Sequence, residues 1–127
     1  VQRPDSPLVL IVDDSPANLK LARDVLGLAG LRTLEASTVG EAFALASRHL
    51  PDVILMDLHL PDGDGSQAAR RLHADPRTAP VPIVAMSAMR LGPGDDWLFD
   101  AGFAGYISKP IDTATFPDEV RRFLRPA

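Results

Sequence analysis

The stretch Val53-Ile54-Leu55-Met56-Asp57 decides the fold: an apolar run without alternation, closed by a carboxylate. Uninterrupted runs of this kind are strands buried on both faces, as in parallel sheets covered by helices; a strand with one wet face would alternate. Leu8 to Val12 is a second such run, and it too ends in acid, Asp13-Asp14. Strand one is therefore placed at Leu8 to Val12, strand three at Asp52 to Met56 and strand four at Pro82 to Met86. Strand two, Leu31 to Ala36, carries Arg32, Thr33 and Glu35 and is expected at one edge, with strand five, Ala104 to Ser108, at the other. Each run is followed by a helical pattern, and that repeated alternation predicts an α/β domain with helices on both faces of a parallel sheet.

Local signals mark the helix ends. Ser15 followed by Pro16 supplies an N-cap with proline at the first helical position, and Leu21, Ala22, Val25, Leu28 and Ala29 form the expected inner stripe before Gly30 stops the helix. Thr38 and Glu41 make a capping box that opens a helix packing Val39, Phe43, Ala46 and Leu50, with Pro51 preventing its continuation. A loop containing Pro61, Gly63 and Gly65 leads to a helix burying Ala68, Ala69 and Leu72. Leu91-Gly92-Pro93-Gly94 breaks the chain, so helix four is expected from Asp95 through Trp97 to Ala101. Pro117 confines the last helix to a start near Thr115 or Phe116, which leaves Val120, Phe123 and Leu124 to pack.

The totals bound the function. At 127 residues the chain is expected to be one domain, 1–127 with a core about 8–124, and no second domain fits within it. It starts at Val1 rather than Met, which reads as processing or excision from a longer protein. No apolar run approaches the roughly 20 residues of a membrane span, and Val1-Gln2-Arg3-Pro4-Asp5 has no signal-peptide pattern, so a soluble cytoplasmic protein without a membrane partner is expected. The absence of Cys removes disulfides, thiolate metal sites and a cysteine nucleophile. A net charge of −4, from 17 acids against 13 bases, offers no basic surface and argues against direct nucleic-acid binding.

The strand ends carry the chemistry. Asp13-Asp14, Asp57, Ser87 and Lys109 all fall at the carboxyl edge of the expected sheet, where open α/β folds bind ligands. Clustered acids repel unless a cation joins them, and Mg²⁺ suits one or two carboxylates together with water and phosphate. A carboxylate such as Asp57 can attack phosphorus to give an aspartyl phosphate, with the Ser87 hydroxyl and the Lys109 ammonium meeting the remaining phosphoryl oxygens. Each residue also has a plainer reading. Asp14 and Ser15 could only cap a helix, Asp57 start a turn, Ser87 satisfy a turn and Lys109 sit solvated at a strand end. Tyr106 could fill a core edge, His59 a solvated loop, His49 and His73 exposed helical positions, and Trp97 and Phe99 packing or partner surface. Convergence of acids, hydroxyl and ammonium at one edge favours the functional reading.

The motifs Val12-Asp13-Asp14, Met56-Asp57-Leu58-His59-Leu60-Pro61-Asp62-Gly63-Asp64-Gly65, Met86-Ser87-Ala88 and Tyr106-Ile107-Ser108-Lys109-Pro110 together resemble, in order and spacing, the receiver domain of two-component response regulators. The resemblance spans Leu8 to Leu124 and implies a flavodoxin-like (βα)5 three-layer sandwich with a five-stranded parallel sheet of order 2-1-3-4-5. It implies that Asp57 accepts phosphate from a histidine kinase or histidine phosphotransfer protein, that Asp14 binds Mg²⁺ directly and Asp13 largely through water, and that the His59 backbone carbonyl is a further ligand. It implies a switch through Ser87 and Tyr106, expected at the ends of neighbouring strands, that alters a downstream-protein surface of helix four, strand five and helix five, from about Asp95 to Leu124. It also implies a cis Lys109-Pro110 bond, which proline makes inexpensive. His59 and Met89, two residues after Asp57 and Ser87, are placed to flank attacking water. Asn18 is similar to the residue found in single-domain regulators and receivers of hybrid kinases, whereas Gly92-Pro93-Gly94 and Pro117 depart from the family pattern. On this reading the chain is a phosphorelay switch and phosphoprotein that catalyses only its own phosphotransfer and autodephosphorylation. The competing readings are a Mg²⁺-dependent aspartyl-phosphate phosphatase or phosphotransferase, which needs an acid where His59 stands, and a phosphate-independent interaction module.

Overall fold

The computed structural model describes residues 6–60, 63–87 and 97–124. Its elements run β1 (Leu8–Val12), α1 (Pro16–Leu28), β2 (Arg32–Ala36), α2 (Val39–His49), β3 (Val53–Asp57), α3 (Gly65–Ala74), β4 (Ile83–Ser87), α4 (Trp97–Asp100), β5 (Gly105–Ser108) and α5 (Phe116–Phe123). The strands form one five-stranded sheet of order β2-β1-β3-β4-β5, parallel throughout, as the resemblance implied. A short antiparallel ladder pairs His59–Leu60 with Gly63–Asp64 just beyond β3.

Alternate strand residues feed two cores, which is why the central strands show no wet face. Leu10, Ile54, Met56 and Ala85 pack beneath α2, α3 and α4, with Ala42, Ala46, Ala69, Leu72 and Leu98. Val9, Ile11, Leu55, Val84 and Met86 pack on the opposite side against Leu19, Ala22 and Leu26 of α1 and Phe116 and Val120 of α5. The result is a three-layer sandwich whose central strands β1, β3 and β4 are covered on both faces and whose edges are β2 and β5.

Several local expectations need correction. Strands β3 and β4 each begin and end one residue later than expected, so that Asp57 and Ser87 close their strands as the last paired residues. Pro82 has no N–H and contributes only its carbonyl, to the Ile54 N–H at 2.9 Å. The inner stripe of α1 is Leu19, Ala22 and Leu26, while Leu21 is exposed and Leu28 is 91% exposed. Leu50 is half exposed: it lies past the last turn of α2 in a left-handed conformation, φ 48°. Residues 88–96, including the Gly92-Pro93-Gly94 breaker and the expected start of α4 at Asp95, lie outside the described residues, and α4 ends at Asp100, one residue before Ala101. The caps form as expected. Ser15 Oγ accepts the Asn18 N–H at 3.3 Å, and Thr38 Oγ1 accepts the Glu41 N–H at 3.1 Å. Pro117 is accommodated in the first turn of α5, where no intrahelical donor is required.

The corrected phase of α1 has a direct consequence for stability. Leu26→Ala should cost about 2–5 kcal/mol by urea denaturation, whereas Leu28→Ala should stay within about 0.5 kcal/mol of the parent. Comparable losses from both substitutions would contradict this packing.

Candidate functional site

The carboxyl ends of β1 and β3 are adjacent because β1 and β3 are hydrogen-bonded neighbours, Val12 lying opposite Met56. The chain must leave both strands there, and the residues that leave are acidic. Asp13 donates its N–H to Ala36 O of β2 at 3.0 Å, and Asp57 closes β3 opposite Met86 of β4. Asp13, Asp14 and Asp57 each offer a carboxylate oxygen, and these lie within 4.8 Å of one another. Asp13 is 2% and Asp57 6% exposed, whereas Asp14 faces solvent.

At an effective dielectric of about 20, two like charges at such a separation repel by roughly 3 to 4 kcal/mol. Lys109 opposes part of this. Its ammonium lies 2.8 Å from Asp13 Oδ2 and 3.3 Å from Asp57 Oδ2, and its backbone N–H donates to Ser87 O at 2.8 Å. Burial disfavours the charged form of Lys109, but hydrogen bonding to Asp13 and the charges of Asp13 and Asp57 outweigh it and hold the ammonium above the ordinary lysine range. The stability linked to this raised value is fully present below the unfolded lysine value of about 10.4 and is lost only as pH rises through the higher folded value. Lys109 therefore stays charged across neutral and mildly alkaline pH. The bond that follows it, Lys109-Pro110, is cis.

Two donors that were not foreseen complete the setting of Asp13. The Ser15 N–H reaches Oδ1 at 2.9 Å and the Asn18 side-chain amide reaches Oδ2 at 3.3 Å, both from the first turn of α1. One ammonium against three carboxylates leaves a surplus of two negative charges, which one divalent cation would balance. The donor set is all oxygen, the set preferred by a hard cation such as Mg²⁺, so the residues fit that ion.

Of the residues singled out in the sequence, Asp13, Asp14, Asp57 and Lys109 are thus brought together, and buried Ser87 adjoins them through the Lys109 N–H. The backbone of His59 lies in the short ladder opposite Asp64; its imidazole, Ala88 and Met89 lie outside what is described. Tyr106 does not end a strand beside Ser87. Ser108 is the residue paired with Ser87, and Tyr106 pairs with Ala85, its side chain 42% exposed beside Ile107, Thr115 and Phe123. His49 and His73 are both exposed helical residues as expected, and one ring nitrogen of His73 lies 2.6 Å from Gly102 O. Among the described residues, no helix is long and apolar enough to cross a membrane.

Comparison with known proteins agrees with this geometry. The family described as the response regulator receiver domain matches residues 9–121. The polar-differentiation response regulator DivK of Brucella ovis is 34% identical over 116 residues, covering 91% of this chain and 94% of that protein. A putative response regulator from Chloroflexus aurantiacus superposes with a TM-score of 0.86 at 28% identity, over 94% of this chain and 98% of the other. The receiver domain of the sensor histidine kinase PA1611 from Pseudomonas aeruginosa, solved with a magnesium ion coordinated in its active site cleft, gives a TM-score of 0.82 at 32% identity over 93% of this chain and 97% of that one. With its sheet order, its acidic cluster and this match over most of its length, the chain belongs to the response regulator receiver domain family.

Proposed function

We propose that the chain, as a single domain, is the phospho-accepting module of a two-component phosphorelay, with Asp57 as the phosphoacceptor and a histidine kinase or histidine phosphotransfer protein as donor. The observation that carries this reading is the convergence of Asp13, Asp14 and Asp57 with Lys109 at one strand edge. An Asp57 carboxylate oxygen forms the new P–O bond while the P–N bond to the donor imidazole breaks. The electron pair stays on the ring nitrogen, which takes a proton from water. Asp14 directly, Asp13 largely through water, Asp57 and the His59 backbone carbonyl would hold Mg²⁺. Bound there, it supplies positive charge against the phosphoryl oxygens. Lys109 and the Ser87 hydroxyl receive the other phosphoryl oxygens, and burial of Asp57 limits the access of water. Histidine rather than acid two residues after Asp57 speaks against a phosphatase that needs a carboxylic acid to protonate a leaving group.

The same reading makes the chain a cytoplasmic switch rather than a metabolic enzyme. A phosphoryl group on Asp57 draws the Ser87 hydroxyl toward it, and the Tyr106 ring, now at the surface, turns inward. The affected face is α4, β5 and α5, where a downstream protein docks. Moving a two-state balance from 1:99 to 99:1 takes about 5.5 kcal/mol, while one hydroxyl contact to a charged group gives roughly 1.5 to 3 kcal/mol. Ser87 is insufficient alone, and the Lys109 contact and the cation must contribute.

Incubation with acetyl phosphate and Mg²⁺ should label the protein, and Asp57→Asn or chelation of the metal should abolish the label; undiminished labelling of that variant would remove Asp57 as acceptor. For the switch, amide shifts on adding beryllium fluoride with Mg²⁺ should extend to Tyr106 and α5 in the parent. In Ser87→Ala they should be weakened there while persisting around Asp57. Shifts confined to the metal-facing loops of the parent would refute the coupling.

A further inference from the structure

We infer that Asn18 is a positioning residue of the phosphoryl-transfer site, holding the Asp13 carboxylate so that Lys109 is released to the phosphoryl group; the inference rests on the function proposed above. Asn18 is the third residue of α1 after its Ser15 cap. Its side-chain amide approaches Asp13 Oδ2 at 3.3 Å, the same oxygen that Lys109 Nζ meets at 2.8 Å, while Oδ1 takes the Ser15 N–H at 2.9 Å. A carboxylate has no proton to give, so the NH₂ end of the amide faces Asp13. Asp13 is almost wholly buried, and a buried carboxylate oxygen stripped of donors is strongly disfavoured. When Lys109 turns to an incoming phosphoryl group, Asn18 is the side-chain donor that stays on Oδ2 among the described residues.

A second observation points the same way. The equivalent third position is Glu41 in α2 and Asp118 in α5, as the positive end of a helix dipole favours, whereas the first turns of α1 and α3 contain no acid and carry an amide, Asn18 and Gln67, at that position. By helix standards an acid would be the better residue at position 18. A carboxylate there would face Asp13 across the distance that Asn18 now bridges, and the neutral donor is what the Asp13 oxygen requires.

The test uses Asn18→Leu, which removes the donor, and Asn18→Asp, which replaces it with charge while improving the helix terminus. In the intact chain, with folding confirmed by thermal denaturation, the rate of labelling by acetyl phosphate is measured against Mg²⁺ concentration. Asn18→Leu should be about tenfold slower at saturating Mg²⁺, with the half-saturating Mg²⁺ concentration shifted by no more than about threefold. Asn18→Asp should be at least as slow, although a residue serving only the helix would tolerate or welcome the acid. A Leu variant within about twofold of the parent, or an Asp variant at the parental rate, would overturn the inference, as would a slowing removed by raising Mg²⁺. If the Leu variant does not fold, the Asp variant decides alone. A parent that takes no label would instead defeat the phosphoacceptor reading, and this inference with it.

Discussion

Mutual repulsion among Asp13, Asp14 and Asp57, only partly relieved by Lys109, is the constraint from which the rest of the site follows. A parallel sheet covered on both faces leaves no room for charge along its central strands, so polar residues are driven to the strand ends. Adjacent central strands then bring their acids together whether or not that is favourable for folding. Two of the three carboxylates are buried, which raises the stakes of every contact they make. Lys109 answers that repulsion by spanning Asp13 and Asp57 at hydrogen-bonding distance, and the negative charge it leaves uncompensated suits a small divalent ion.

The topology holds the acids of this arrangement from more than one side. Asp13 and Asp57 directly follow the paired Val12 and Met56 of β1 and β3, Asp13 bonding on to Ala36 of β2 and Asp57 pairing with Met86 of β4, and the start of α1 holds the Asp13 carboxylate from the other side. Lys109 follows the edge strand β5, and its backbone N–H donates to Ser87 O, which joins the site to the outer edge of the sheet. Tyr106 lies on that edge strand with its ring partly in solvent, beside a cleft of about 330 Å³ formed with α5 and rimmed by Asp118, Glu119 and Arg122.

Most of the architecture was legible because burial on both faces has an unmistakable pattern: Leu8–Val12 and Val53–Asp57 could be little else in a chain with helices between them. The phase of α1 was not legible. Apolar residues at 19, 21, 22, 25, 26 and 28 support two overlapping stripes. The choice between them belongs to tertiary contacts: Asp13 pins the Ser15 N–H and the Asn18 amide, and so sets how the helix is turned against the sheet. Strand ends were misplaced by one residue because hydrophobicity marks where the apolar run stops, whereas burial and pairing both run on into Asp57 and Ser87. The site acids and Lys109 were read from their places at strand ends. The donors on Asp13 were missed because a helix-cap Ser and a first-turn Asn have an adequate local explanation, and only the fold shows which carboxylate they face.

Thermal unfolding of the parent and of Asp57→Asn across a Mg²⁺ titration tests most directly the claim that the acidic cluster is a cation site held by charge. Binding to the folded state alone adds about 2.7 kcal/mol at a hundredfold excess over the dissociation constant, a shift of several degrees in Tm. The account predicts a saturable rise in the Tm of the parent that is largely absent in Asp57→Asn. A Tm that does not respond to Mg²⁺, or one that rises equally in both proteins, would contradict it.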